Sequence, residues 1–492
     1  MAIDHPLLRP YEPSDSDPWD SVKAAHLLNR AGFGGTVEEV DKVLRLGPVE
    51  AVDWLLDFPD AEVADGDGPD MSSIENLPQS PLELRRMYID KSPDEKRELQ
   101  AQFNRANGEA TQLIMHWWLN RMATGPHPLQ EKLTFFWHGH FTTSAQNERW
   151  AMLMWRQNQL LRKFAAGNFE PFLHQISRDP AMLDYLNNNE NKKAHPNENY
   201  AREVMELFTL GIGNYTETDV KQAARAFTGW SHDGGEFVFH RFQHDYGDKT
   251  FFGRTGNFDG DDIISMILMH PACRRFVATE LFKNFAYEKP EESLAVALGD
   301  VLYDGRYELR PFLRTMFRSQ AFYSDESIGV QIKSPVQLVV GTVRELGIEM
   351  PNNGGILGAL SQMGQLPLNP PNVRGWPGGQ LWINTSTLFV RYNTGVWLAG
   401  GAVPAFQRVN RKGNSKSDKP AVASAITTGF DDLPTGTSEE IADAWVKRLI
   451  QRPIDEEKRQ DLINVLGHQG DDVHVQRQLV QLIVSMPEYQ LC

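Results

Sequence analysis

Cysteine is almost absent from this chain of 492 residues. The two cysteines, Cys273 and Cys492, lie far apart, which excludes a disulfide framework and a zinc site built from cysteines. Uninterrupted apolar runs are short, and none approaches the ~18–20 residues of a membrane-spanning helix. The N-terminal segment shows no positive stretch followed by an apolar run. We therefore expect no secretory signal, no transmembrane segment and a cytoplasmic protein.

Basic residues are also in short supply. Lys and Arg number 49 against 65 Asp and Glu, which leaves a formal net charge of -16. Proteins hold nucleic acid mainly through clustered basic side chains, so we expect no nucleic-acid partner. The phosphate-binding loop GxxxxGK[ST], the GxSxG elbow and the HExxH zinc motif do not occur.

The residues that are present predict a mainly α protein with a large multi-helical body. Thr36 and Glu39 form the pattern of a capping box, and the sequence from Ser92 to Thr124 has the three-and-four spacing of a long helix. Residues 235–253 alternate aromatic and polar side chains around Asp245-Tyr-Gly-Asp248, which predicts one short β-hairpin insertion.

Composition suggests three parts along the chain. A helical main body spans residues 1–404, with an exposed acidic loop at 58–80 and the hairpin at 235–253. Residues 405–420 are basic, polar and interrupted by glycine, which predicts a flexible loop. Residues 421–492 then form a small C-terminal helical unit. The acidic loop resembles a calcium loop in its alternation of Asp and Gly, but the closing Glu is missing.

The first candidate site is the pair His138 and His140. Residues two apart point about 200° away from each other on a helix. If Gly139 ends the helix, both imidazoles can turn toward one space and supply two ligands to zinc or a similar divalent metal. The alternative is that both histidines are hydrogen-bonded within an aromatic corner.

The second candidate cluster lies at the start of a predicted helix. Glu198 or Glu203 would act as general acid or base, while Arg202 holds an anionic or carbonyl group and Asn199 and Tyr200 contact substrate. The alternative is a capped helix start with ordinary ion pairs, since Glu198 and Arg202 are four residues apart.

Two further clusters lie later in the chain. In the hairpin, Asp245 can orient His244 for metal binding or proton transfer, although hairpin residues are often exposed to solvent. Farther on, Arg374, Trp376 and Trp382 lie in proline- and glycine-rich turns that could form a rigid aromatic wall for sugars. The alternative for this wall is a buried loop that plugs the helical body.

Several of these stretches together resemble a bacterial family, the domain of unknown function 1800 family. The matching segments are AAHLLNRAGFGG, EKLTFFWHGHF, NENYAREVMELFTLGIGNYTETDVKQAARAFTGW, the HD…KTFFG hairpin and NVRGWPGG. They span roughly Ala24 to Arg391. The resemblance implies little about activity, because the family looks uncharacterised. It also implies a sulfatase-like neighbour as a partner, and export together with a partner that carries a signal.

The leading hypothesis is a hydrolase-type enzyme that acts on a carbohydrate or other polar polymer. In one version His138, His140 and His244 bind a divalent metal while Glu203 handles protons. In the other version two carboxylates cleave a glycosidic bond without a metal. The pair is Glu198 and Glu203, or has Asp245 as its second carboxylate. The alternative class is a non-enzymatic assembly or escort partner of a sulfatase-like protein.

Overall fold

A computed structural model describes residues 5–64, 66–148, 150–352, 354–400 and 433–492. Within these ranges the protein is mainly helical, as predicted. The first ten helices are α1 (Ser21–Ala31), α2 (Val37–Leu56), α3 (Pro81–Met87), α4 (Pro93–Thr124), α5 (Pro128–His140), α6 (Ala145–Glu148), α7 (Ala151–Lys163), α8 (Phe169–Ser177), α9 (Pro180–Tyr185) and α10 (Asn199–Glu203).

The remaining helices follow in the same order along the chain. They are α11 (Glu217–Ala226), α12 (Gly260–Met269), α13 (Pro271–Phe285), α14 (Glu292–Asp304), α15 (Leu309–Phe317), α16 (Pro335–Leu346), α17 (Gly354–Gln362), α18 (Thr385–Leu398), α19 (Ser438–Leu449), α20 (Glu456–Leu466) and α21 (Val473–Val484). Short 3₁₀ turns connect several of them, and a π-helical turn, Val204–Thr209, continues directly from α10.

Local sequence explains where the helices begin. The capping box predicted at Thr36 is formed, and a second capping box begins α4 at Ser92. In each, the hydroxyl accepts a hydrogen bond from the backbone N–H three residues later. Helix α2 is kinked at Gly47, whose φ of 78° is not helical, and Pro48 then begins the next helical segment.

The predicted single hairpin is two hairpins. Strand β1 (Trp230–Asp233) pairs with β2 (Glu236–Phe239), and β3 (Lys249–Phe251) pairs with β4 (Arg254–Gly256), both antiparallel. Both turns use positive φ values, at Gly234 and Gly235 in the first hairpin and at Phe252 and Gly253 in the second. The predicted turn near Asp245–Asp248 lies between the hairpins, where the Asp245 carboxylate accepts a hydrogen bond from the Gly247 N–H.

The helices bury two hydrophobic clusters. One cluster is formed by residues of α1, α2, α5 and α7 through α15. The other is formed mainly by residues of α4 and of α16 through α21. The C-terminal helices therefore share a core with α4 and α16. The predicted loop at 405–420 lies outside the described residues. Among the helices that are described, none is both long and apolar enough to cross a membrane.

Candidate functional site

The described structure contains a cleft of about 790 Å³. Its walls come from α5, the π-helical turn, α13, the start of α16 and the loop before α18. The lining side chains that carry chemistry are Lys132, His140, Glu206, Glu280, Lys283, Asn284, Glu288, Lys289, Gln331, Gln337, Gln365, Arg374, Trp376 and Trp382. Cleft volumes of this size are typical of small-molecule sites, which run from about 300 to 1,000 Å³.

Helix α5 presents one face to the cleft. Lys132, Phe136 and His140 are spaced by four residues, so they follow one another along the same side of the helix. The helix continues through Gly139 to His140, so the expectation that Gly139 ends it was wrong. A continuous helix directs His138 away from His140, and His138 does not line the cleft.

His138 is instead buried in the core. Its side chain packs edge-on against Trp118 and Trp376, with ring centroids at 5.7 Å and 5.4 Å. The Nε2 atom has no hydrogen-bond partner among the described residues. Burial lowers the pKa of His138 to about 3, so the imidazole is neutral in the folded protein.

His140 is placed differently. Its Nε2 donates to the backbone carbonyl of Phe208 at 2.9 Å, and its ring stacks on Phe136. Burial lowers its pKa, so it is a neutral imidazole whose Nδ1 is left as the acceptor. The carbonyl that accepts belongs to the π-helical turn, a feature that often accompanies functional sites.

The carboxylates near position 200 divide into two groups. Glu206 lines the cleft, accepts a hydrogen bond from the Tyr215 hydroxyl and lies 3.6 Å from an Arg374 guanidinium nitrogen. Glu203 is half-buried beside it, and burial together with the charge of Glu206 raises the pKa of Glu203. Glu198 lies 3.3 Å from Arg202 and does not line the cleft.

The neighbours of Glu203 have structural partners. Arg202 donates to both carboxylate oxygens of Glu217 at 2.7 Å, and these contacts raise its pKa. Asn199 donates to the Leu186 carbonyl at 3.1 Å. Tyr200 is fully buried, with its ring 5.0 Å from that of Phe227. None of these side chains lines the cleft.

His244 and Asp245 lie between the two hairpins, apart from the cleft lining. His244 is buried, and its Nδ1 donates to the Thr228 carbonyl at 2.8 Å. Asp245 is paired with Arg225 at 2.7 Å, which lowers the pKa of the carboxyl. Within the described parts of the chain, no group of three or more His, Cys, Asp or Glu side chains is arranged to hold a metal ion. The three histidines therefore do not converge.

The three residues of the aromatic wall all line the cleft: Arg374, Trp376 and Trp382. Trp376 stacks on Phe135 of α5 at 4.9 Å, while Trp382 is largely buried. Gly375 has a φ of 78° and lies so close to α5 that a Cβ atom there would be 2.3 Å from the Gly139 carbonyl oxygen. Gly375 therefore allows the loop to lie against α5.

Sequence reasoning missed Lys132, Glu206 and Glu280 as site residues. Lys132 stands within the EKLTFFWHGHF segment, and its spacing from Phe136 and His140 was the available signal. Glu280 lies on α13 and reaches the cleft only through tertiary packing. Its charge opposes the lowering of the His140 pKa by burial.

The burial of His138 predicts a pH-dependent stability. Between its folded pKa of about 3 and the ordinary value of about 6.5, the unfolded state binds a proton that the folded state does not. The free energy of unfolding therefore falls as the pH is lowered through this range, by up to about 1.4 kcal/mol per pH unit. We expect His138→Phe to reduce this slope, measured by urea unfolding between about pH 7 and about pH 4.5.

The matched control is His468→Phe, at an exposed histidine. An equal change of slope in the two variants would contradict the assignment to His138. At neutral pH His138→Phe should change stability by less than about 1.5 kcal/mol, because the volume is similar and an unpaired buried nitrogen is removed.

Comparison with known proteins gives one match. Neither the curated proteins nor the solved structures contain a match to this chain. Residues 26–491 match the family described as "Protein of unknown function (DUF1800)", which covers nearly the whole chain. The protein therefore belongs to the DUF1800 family.

Proposed function

We propose that the cleft is the active site of a hydrolase-type enzyme that acts on a carbohydrate or another polar polymer. The observation that carries this proposal is the meeting of carboxylates, a neutral imidazole and two indoles from distant parts of the chain in one cleft of about 790 Å³. Conversely, His138 and His244 are buried outside the cleft lining. The geometry thus favours the version that relies on carboxylates over the three-histidine metal version.

The composition of the walls supports a sugar-like substrate. Trp376 and Phe276 provide apolar faces, and amides of Asn284, Gln331 and Gln365 provide donors and acceptors. Sugar rings combine apolar faces with a rim of hydroxyls, so they need both kinds of partner. Charged groups of both signs also line the cleft, which suits a polar substrate without a strong net charge.

The catalytic pair in this proposal is Glu206 and Glu280. They lie on the π-helical turn and on α13, two separate elements that both line the cleft. Glycosidases place two carboxyl groups on either side of the bond that is cleaved, one as the acid and the other as base or nucleophile. Glu198 and Glu203 belong to one short helical segment and cannot easily flank a bond.

His140 and Glu203 have supporting roles in the proposal. His140 offers a neutral Nδ1 to a substrate hydroxyl, while its Nε2 is held by the Phe208 carbonyl. Glu203 shares the local negative charge with Glu206, and its raised pKa lets it hold a proton more readily than a free glutamate. Two cations act on this pair: Arg202 and Arg374 both oppose the rise in the pKa of Glu203, and Arg374 also lies 3.6 Å from Glu206.

The test is release of reducing ends from a panel of soluble polysaccharides by the purified full-length chain. We expect Glu206→Gln to lower the rate by about 10²–10⁴-fold, because it removes a group that transfers a proton.

Trp376→Ala should weaken polysaccharide binding, measured by calorimetry, because it removes an apolar face from the cleft.

Matched controls lie outside the cleft. Glu236→Gln replaces an exposed carboxylate of β2, and Phe242→Ala replaces an aromatic side chain that is 93% exposed. Both should retain the wild-type rate and affinity. Equal losses in Glu236→Gln and Glu206→Gln would contradict the proposal. Absence of both binding and cleavage would also contradict it and would favour the escort role beside a sulfatase-like partner.

A further inference from the structure

Lys132 is an unusual lysine because it is buried in the wall of the cleft. The residue is 8% exposed and sits on the face of α5 that also carries Phe136 and His140. Its Nζ lies 4.9 Å from the centroid of the Phe33 ring. The proposed hydrolytic reaction has no use for it.

The amine has a single hydrogen-bond partner among the described residues. Lys132 Nζ donates to Gln337 Oε1 at 3.1 Å. The Gln337 amide is itself oriented, since its Nε2 donates to the Asn29 carbonyl at 2.9 Å and to Cys492 Sγ at 3.2 Å. Gln337 therefore holds the amine of Lys132 in place without supplying a negative charge.

No carboxylate forms an ion pair with Lys132 in the described parts of the chain. Lys283, which lines the same cleft, differs because it is paired with Glu280 at 2.8 Å. Burial lowers the pKa of Lys132 to about 7; the charge of Cys492 opposes this effect and the charge of Arg30 adds to it. A large share of the amine is thus neutral at pH 7, which is the nucleophilic form.

We propose that Lys132 forms an imine with a carbonyl-bearing ligand, an aldehyde or ketone that also carries hydroxyl groups. The neutral amine adds to the carbonyl carbon, and the resulting carbinolamine loses its oxygen as water. The nitrogen gives up both of its protons to that water, and a C=N bond replaces the C=O bond. The amides of Gln331 and Gln365 in the cleft provide partners for the ligand's hydroxyls. This activity goes beyond polymer hydrolysis and does not depend on it.

The experiment is reductive trapping with glyceraldehyde and sodium cyanoborohydride on the folded full-length protein at about pH 7, followed by peptide mass spectrometry. A free lysine with a pKa of about 10.4 is less than about 0.1% neutral at this pH. We therefore expect labelling of Lys132 to exceed that of Lys283 and Lys289 at least about tenfold. The substitution Lys132→Arg keeps a long side chain but removes the amine, and it should abolish this label.

Two results would overturn the inference. One is equal labelling of the three cleft lysines, and the other is labelling of Lys132 only after the protein is unfolded in urea. The wild-type measurement compares lysines within one molecule, so it stands even if Lys132→Arg folds poorly. The reducing-end assay tests the proposed hydrolysis separately, because a protein that labels at Lys132 and cleaves no polymer would support imine formation alone.

Discussion

Replacement of Glu131 by alanine should lower the free energy of unfolding by about 3–5 kcal/mol. The Glu131 side chain is 2% exposed and accepts hydrogen bonds from Arg162 at 2.8 Å and 2.9 Å. It also accepts from Arg121 Nε at 2.8 Å and from Trp118 Nε1 at 2.9 Å. Its loss would leave the buried guanidinium of Arg162 without its counter-charge, which is costly in a region shielded from water.

The ionisation of Glu131 also makes the free energy of unfolding depend on pH. Burial alone would raise the pKa of this carboxyl, but Arg162 and Arg121 hold the pKa below its ordinary value. A folded pKa below the unfolded one stabilises the protein above about pH 4.3, and this contribution is lost as the pH falls through the lower, folded value. Glu131→Ala should therefore lose less stability on acidification than the wild type.

Urea unfolding followed by circular dichroism measures both effects. The control is Glu292→Ala, which removes the carboxylate of a surface ion pair with Arg275 whose side chains are 41% and 76% exposed. Such a pair contributes at most about 1 kcal/mol. Similar losses in free energy of unfolding in the two variants would contradict the role of Glu131 as the buried counter-charge of Arg162.

The second large effect is expected for Gly375→Ala. A side chain at a φ of 78° costs about 1–2 kcal/mol for L residues, and the new Cβ would lie 2.3 Å from the Gly139 carbonyl oxygen. That contact is too short to be retained, so the loop must move away from α5. We expect a loss of stability above about 2 kcal/mol and displacement of Trp376 from its stacking on Phe135.

Thermal unfolding and near-ultraviolet circular dichroism report the two consequences of Gly375→Ala. The matched control is Gly378→Ala in the same loop, where φ is -122° and a Cβ atom meets nothing within 4 Å. This control should be close to wild type in both measurements. A Gly375→Ala protein with an unchanged melting temperature and an unchanged tryptophan signal would contradict the role of this close approach.

Local patterns in the sequence were enough to predict the helical class and several helix boundaries. The long helix from Ser92 to Thr124 was predicted from the three-and-four spacing of its residues, and in the structure a capping box and a proline begin it. The two hairpins were merged into one because the Asp245–Asp248 turn signal is as strong as the glycine turns at Gly234 and Gly253. Periodicity alone does not rank competing turns.

The candidate site was only partly accessible from sequence. Arg374, Trp376 and Trp382 were predicted to form a wall, and all three line the cleft. By contrast, His138 was grouped with His140 because Gly139 was expected to end α5, as isolated glycines often do. The helix continues through Gly139, and the position that requires glycine is Gly375, where a Cβ atom would lie 2.3 Å from the Gly139 carbonyl oxygen.

The sequence by itself determined the helical character and the caps, because these depend on residues that are near one another in the chain. It also determined the membership of the DUF1800 family, because the family is defined by sequence along residues 26–491. Only the tertiary structure decided which charged groups share a cleft. Lys132, Glu206, Glu280 and Arg374 lie on four separate segments, and their spacing depends on how helices pack. The same packing buries Lys132 and gives it Gln337 instead of a carboxylate as its partner among the described residues, which no pattern of neighbouring residues specifies.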